Sequence, residues 1–202
     1  MCKLRLLGIV LWLTVTSSIA QNPMKSGQIE EMVKLIKTNE RLAQSYAETA
    51  MKADKDNTDL IAKIGLAYLQ AGKIDEAEKY FYLTRKCYKI TPLAISLGGD
   101  IAQAQGKIDS AKYYYRRAMY FDRHDPEAYF KYAELVRFTD MPDAMRKLET
   151  IKQLRPDLSI DGRIAELYYD AQRYDAAIAL YEKQGIKRLT EKELVHYAQS
   201  VL

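Results

Sequence analysis

Chain breakers are scarce in this sequence. Nine glycines and five prolines in 202 residues amount to about 7%, against roughly 12% in average proteins. So few breakers leave little room for the many turns of a β-sandwich or barrel, and they favour helices. Cysteine is rarer still, with Cys2 and Cys87 only, and histidine is limited to His124 and His196. Neither histidine has a second His or Cys at metal-ligand spacing. No phosphate loop or GxSxG elbow is present, and Gly98-Gly99 reads as close helix packing. Charge of one sign is also missing: 31 Lys and Arg stand against 27 Asp and Glu. Such a balance argues against a nucleic-acid binder, which needs a concentrated basic face to displace counterions. With 48% hydrophobic and 29% charged residues, the chain is neither a disordered tail nor a multispan membrane protein.

Residues 1–20 form a separate unit. Lys3 and Arg5 begin it, an apolar run from Leu6 to Val15 broken only by Thr14 follows, and Ser18-Ile19-Ala20 places small residues where a signal peptidase reads. The run is roughly half the ~20 apolar residues that span a bilayer. A cleaved secretory signal is therefore expected, and with it an exported, periplasmic or secreted protein. Its removal would leave 29 basic residues against 27 acidic ones, a formal charge of +2. The mature chain would hold no Trp, since Trp12 is the only one, and Cys87 as its sole cysteine. No internal disulfide is then available, so burial alone must stabilise the fold. Cys87 is expected on an apolar helical stripe as a small buried hydrophobe.

Internal repetition is plain. Gly72-Lys73-Ile74-Asp75 recurs as Gly106-Lys107-Ile108-Asp109, 34 residues later. The same displacement carries Gly65 to Gly99, Ala77 to Ala111, Phe81 to Tyr115 and Pro92 to Pro126. Onward from Ala111 the small residues Ala144 and Ala177 follow at steps of 33. Within each unit apolar residues recur at helical spacing, as in Ile61, Ile64 and Tyr68, then Ala77 and Phe81. Each unit is thus two short helices, A and B, with Gly72, Gly106, Asp140 or Gln172 in the turn between them. Thr91-Pro92 and Asp125-Pro126 place a capping side chain before a first-turn proline. Thr190 and Glu193 form a capping box. Residues 21–57 read as a degenerate leading pair, 58–190 as four repeats, and 191–202 as a C-terminal half-repeat helix.

A helix pair of 34 residues with small residues at Gly65 and Ala77, aromatics at Tyr68 and Phe81, and a turn glycine at Gly72 resembles the tetratricopeptide repeat. The resemblance covers roughly residues 58–190. It departs in the first-helix aromatic, which is Ile61, Ile95, Tyr129 and Asp161 in turn, and in the terminal proline, in frame only at Pro156. It implies an all-α fold, a right-handed superhelical solenoid of helix pairs. The concave surface of such a solenoid is built mainly from the outer residues of successive A helices.

The frame assigns concave positions to Lys63, Leu66 and Gln70; Leu97, Asp100 and Gln103; Phe130, Glu134, Arg137 and Phe138; and Arg163, Glu166, Tyr169 and Asp170. These are the candidate partner-binding residues, with Phe130, Phe138 and Tyr169 as aromatic anchors and Arg137 and Arg163 as a cationic pair for an acidic segment. Ala62 and Leu66 stand where family members that clamp chaperone tails carry Lys and Asn, so that activity is not expected. Tyr68, Tyr115, Tyr132, Tyr168, Tyr181 and Tyr197 fall at packing positions. Lys112, Arg116 and Arg123 form a basic stripe on a B helix. No catalytic, cofactor-binding or metal-binding residue is expected, nor any cofactor or small-molecule substrate.

The leading functional reading is a non-enzymatic adaptor or scaffold of the bacterial cell envelope that binds a peptide or helix of a protein partner in the groove. The alternative is an N-terminal sensory, regulatory or oligomerisation module of a larger envelope system. Leu194, Tyr197, Ala198 and Val201 continue an A-helix stripe that Val195 and Leu202 broaden, so self-association through residues 191–202 is a further expectation.

Overall fold

The helical spacing of the sequence is realised in a computed structural model that describes residues 26–202. The signal assigned to residues 1–20 lies outside the described residues, as do residues 21–25 of the leading pair. Among the described residues there are eleven α-helices and no strand. They are α1 (Ser26–Thr38), α2 (Glu40–Ala53), α3 (Thr58–Gln70), α4 (Ile74–Thr84), α5 (Pro92–Ala104) and α6 (Ile108–Phe121). Then come α7 (Pro126–Val136), α8 (Met141–Leu154), α9 (Asp161–Asp170), α10 (Tyr174–Gln184) and α11 (Glu191–Val201), with a 3₁₀ turn at Ile186–Arg188. Two compact units divide within α6, one reaching to Ala111 and the other from Lys112 onward.

Local chemistry explains the helix ends. Asn39, Asn57, Thr91, Asp125, Asp140 and Thr190 each accept a backbone N–H from the first turn of the helix that follows. At Thr190 the capping box is complete, because the Glu193 carboxylate accepts the Thr190 N–H in return. The A-to-B turns of three pairs share one device. Lys73, Lys107 and Arg173 each donate their backbone N–H to the carbonyl five residues back, at Tyr68, Ala102 and Tyr168. The residue before each donor, Gly72, Gly106 or Gln172, has a positive φ. This is a Schellman stop, which suits glycine. The third pair differs: Asp140 has φ −148° and serves as the cap of α8.

In the first unit small residues set how closely helices approach. Ala43 and Ala47 of α2 are buried, as are Met32 and Ile36 of α1. A Cβ added at Gly65 would lie 2.7 Å from the Leu97 side chain and 3.1 Å from that of Tyr80. The absence of that atom lets α3 meet α4 and α5. The Tyr68 and Tyr80 rings stack beside it with centroids 5.1 Å apart. Thr58, buried at the start of α3, donates its hydroxyl to the Lys89 carbonyl at 2.5 Å and so fastens the segment after α4. Cys87 lies in that segment, beyond the end of α4. It is half-buried and donates to the Leu83 carbonyl at 3.7 Å. The expected place on a helical stripe is therefore corrected: α4 stops at Thr84, whose hydroxyl turns back to the Phe81 carbonyl.

In the second unit Tyr132 and Val136 of α7 are buried, with Ala144, Leu148 and Ile151 of α8. Ala165, Ala177, Tyr181 and Leu189 form a core against which Tyr168, Tyr169, Leu180 and Tyr197 pack. The tyrosines Tyr68, Tyr115, Tyr132 and Tyr181 are almost wholly buried, while Tyr168 and Tyr197 are only partly so.

Candidate protein-interaction face

Every A helix of a repeat pair presents one side away from its B helix, and the candidate residues fall on α3, α5, α7 and α9 except Arg137 and Phe138, which lie in the turn just after α7 and not on the A helix where the frame placed them. In the first unit Lys63 and Leu66 are half-buried and Gln70 is exposed on α3. On α5, Asp100 is half-buried and Gln103 exposed. Leu97 is not on an open face. It is 1% exposed, and its side chain occupies the space that Gly65 leaves. A leucine one turn before Asp100 is drawn inward because the preceding pair offers it a cavity with no side chain of its own.

The second unit brings its candidates together. The Arg163 guanidinium of α9 lies 4.1 Å from the centroid of the half-buried Phe130 ring of α7. Arg137, at the end of α7, donates to both Glu134 oxygens at 2.7 and 2.8 Å and pairs with Asp170 of α9. Its side chain is 9% exposed. Burial pulls its pKa down, but the bonds from Asp170 and Glu134 outweigh that and leave it above the ordinary arginine value. Its Nε is buried without a protein partner. Farther along, Glu166 of α9 pairs with Lys192 of α11 at 3.0 Å. Tyr169 stacks face to face on His196, centroids 4.2 Å apart, and its hydroxyl donates to Gln199 at 2.5 Å. Phe138 stays open at 79% exposure, with the Arg137 guanidinium 5.0 Å from its ring centroid.

Phe130, Glu134, Arg137, Arg163 and Glu166, together with Ala133, Leu148 and Leu167, line a cleft of about 20 Å³. That volume is on the order of one water. Two expectations need correction. Arg137 is not free to receive an acidic ligand, because its charge is committed to Asp170 and Glu134. Tyr169 is not a free anchor, because His196 and Gln199 hold it. Arg163 and Phe138 remain as the open cation and the open ring.

The sequence reading missed a second cluster on α6–α8. Tyr132 Oη donates to Asp143 at 2.6 Å, Arg116 donates to Tyr132 Oη at 2.6 Å, and Arg146 donates to Asp143 at 2.8 Å. Burial raises the Asp143 pKa, but the bonds from Tyr132 and Arg146 and the Lys147 charge bring the balance below the ordinary aspartate value. Arg116 therefore belongs to an internal network and is not a free member of a basic stripe. One signal could have revealed ion pairs between successive helix pairs. Arg137 and Asp170 are 33 residues apart, as are Glu40 and Lys73, which join at 2.9 Å. Opposite charges displaced by one repeat can meet across successive helix pairs.

Among the described residues no group of His, Cys, Asp and Glu side chains is arranged to hold a metal ion. No described helix is long and apolar enough to cross a membrane.

Comparison with known proteins matches one stretch of the chain to a family and the whole described fold to solved structures. Residues 58–92 match the tetratricopeptide repeat. No curated protein matches the chain. Among solved structures, TTC0263, a thermophilic TPR protein of Thermus thermophilus, superposes with a TM-score of 0.63 at 19% identity over 90% of this chain and 98% of its own. PilF of Pseudomonas aeruginosa gives 0.62 at 15% identity over 85% of this chain and 80% of its own. A chain of the APC/C hetero-tetramer Cut9–Hcn1 gives 0.63 at 15% identity over 95% of this chain and 39% of its own. At these identities the likeness is one of fold.

Proposed function

We propose that this chain is a tetratricopeptide-repeat protein and a non-enzymatic protein–protein interaction scaffold of the bacterial cell envelope, a reading supported by the repeat matched at residues 58–92 and by the helix-pair fold. The A-helix face of residues 112–202 is its docking face, and the ligand is a peptide or helix of a protein partner. One observation carries this reading: Phe138 lies open beside a guanidinium while Arg163 covers Phe130 on the neighbouring helix. Aromatic and arginine anchors of this kind supply most of the energy at protein interfaces. The cleft of about 20 Å³ beside Phe130 and Arg163 is far below the several hundred Å³ of a small-molecule site. That argues for a surface ligand over an enclosed substrate. The Cut9–Hcn1 assembly supports the partner class, since there a chain of this fold sits in a complex of proteins.

The ligand that suits this face carries an apolar side chain for Phe138 and an acidic group for Arg163. Export rests on the positively started apolar leader of residues 1–20. The test is a Phe138→Ala/Arg163→Ala variant of the full chain, compared with the parent in thermal melting and in quantitative capture from envelope extract. The expected result is an unchanged melt with at least about tenfold weaker capture of the parent's partner, and binding that also weakens with salt. Equal capture would overturn the docking face. Cell fractionation with N-terminal sequencing tests the location, and a product starting at Gln21 outside the cytoplasm is expected.

A further inference from the structure

The strongest unassigned surface is on α11. Its inner side is occupied: Glu193 is buried, His196 stacks on Tyr169, and Tyr197 meets Tyr181 edge to face. Its other side carries Leu194, Val195, Ala198, Val201 and Leu202, all exposed. At 100° per residue the four on the helix, Leu194, Val195, Ala198 and Val201, fall within an arc of about 120° centred on Ala198, and Leu202 follows directly after the last helical residue. One repeat earlier, Ala165 occupies the same place on α9 and is fully buried with Ala177 of α10. The Ala198 stripe is thus a packing surface of the repeat that no described helix covers.

The order of residues on the stripe names its occupant. About Ala198 the apolar residues read the same in both directions: Val195 and Val201 stand three residues away, Leu194 and Leu202 four. A second, antiparallel copy related by a two-fold axis at Ala198 would set Leu194 against Leu202 of its mate and Val195 against Val201. The small residue falls at the crossing, where the backbones must approach most closely. Between Leu194 and Leu202 there is no Asp, Glu, Lys or Arg, so two copies meet without like-charge repulsion. His196 and Gln199 in that stretch are engaged by Tyr169. A generic partner helix would need no such mirror order.

We propose that α11 is a homodimerisation helix that pairs antiparallel with α11 of a second copy about Ala198. The surface lies outside the docking face on α7 and α9, so the proposal does not depend on that reading. A single helix pair is small for an interface, and the association is weak, with a dissociation constant on the order of micromolar or above.

The experiment uses the full chain. Sedimentation equilibrium of the parent should show a concentration-dependent dimer. Ala198→Glu places two carboxylates together at the axis and should raise the dissociation constant at least about 100-fold. The parent's helical content should be retained, because Ala198 is exposed. Orientation is read by cross-linking with a short bifunctional maleimide in a chain whose Cys2 and Cys87 are replaced by alanine. Ala198→Cys should link to itself. Val195→Cys should link efficiently only when mixed with Val201→Cys. A parent that stays monomeric at its highest soluble concentration, a dimer untouched by Ala198→Glu, or efficient self-linking of Val195→Cys would each overturn the proposal.

Discussion

At the residue scale, the fold depends on atoms that are absent. Gly65 is the clearest case, because a methyl group there would press on Leu97, which is itself buried and has no free volume to enter. Gly65→Ala should therefore destabilise the protein by about 1–3 kcal/mol, the usual cost of overpacking, measured as a shift of the denaturation midpoint at unchanged slope. Gln172 presents the opposite case. It holds φ +56° at a Schellman stop where Gly72 and Gly106 serve the equivalent turns. A side chain in the left-handed region costs about 1–2 kcal/mol, part of which glycine's larger unfolded-state entropy offsets. Gln172→Gly should stabilise by about 0.5–1 kcal/mol in the same measurement. Parental stability in that variant would mean that Gln172 recovers the strain through contacts of its own.

At the scale of helices, the parts legible in the sequence are those that local chemistry decides. The Thr91-Pro92 and Asp125-Pro126 starts, the Thr190–Glu193 box and the Gly72 and Gly106 turns depend on residues within about five positions of one another, and all are found where the spacing places them. Leu97, Arg137 and Tyr169 escape such reading because their environment comes from a preceding or following helix pair. A repeat frame locates a face but not what the neighbour puts on it. The Arg137–Asp170 pair joins α7 to α9 with both side chains largely buried, at 9% and 16% exposure. Removing one partner of a buried pair leaves the other charge desolvated, whereas replacing both with apolar groups does not. Arg137→Met should cost about 3–5 kcal/mol. Arg137→Met/Asp170→Leu should recover at least about half of that loss, giving a coupling energy that a double-mutant cycle measures directly. Additive losses would show that the pair contributes little beyond its separate packing.

At the scale of the whole molecule, three partly buried carboxylates that lie below their ordinary pKa govern how it responds to acid, the exposed Asp157 beside Arg155 being a fourth that is lowered. In Asp161 the chief cause is the bond from Lys152, with Lys183 adding to it against burial. In Glu193 burial acts upward, but the Thr190 backbone and hydroxyl bonds, helped by Gln184, bring the balance down. In Asp143 burial again acts upward and is outweighed by the bonds from Tyr132 and Arg146. All three belong to residues 112–202. A carboxylate with a depressed folded-state pKa binds fewer protons folded than unfolded, so the stability it contributes is full above the unfolded value, about 4, and is lost as pH falls through the folded value. Acidification from about pH 5 toward about pH 2 should therefore loosen residues 112–202 before residues 26–111. In a repeat array such local loss need not unfold the rest. Pulse-labelled hydrogen exchange after a pH jump, with labelling at one fixed pH, reads the two stretches separately. An Asp143→Asn/Asp161→Asn variant should start less stable at about pH 7 and lose less on acidification, because the groups that take up the protons are gone. Equal loosening of both stretches in the parent, or an unchanged acid response in the variant, would show that general positive charge and not these three carboxylates governs the acid limit.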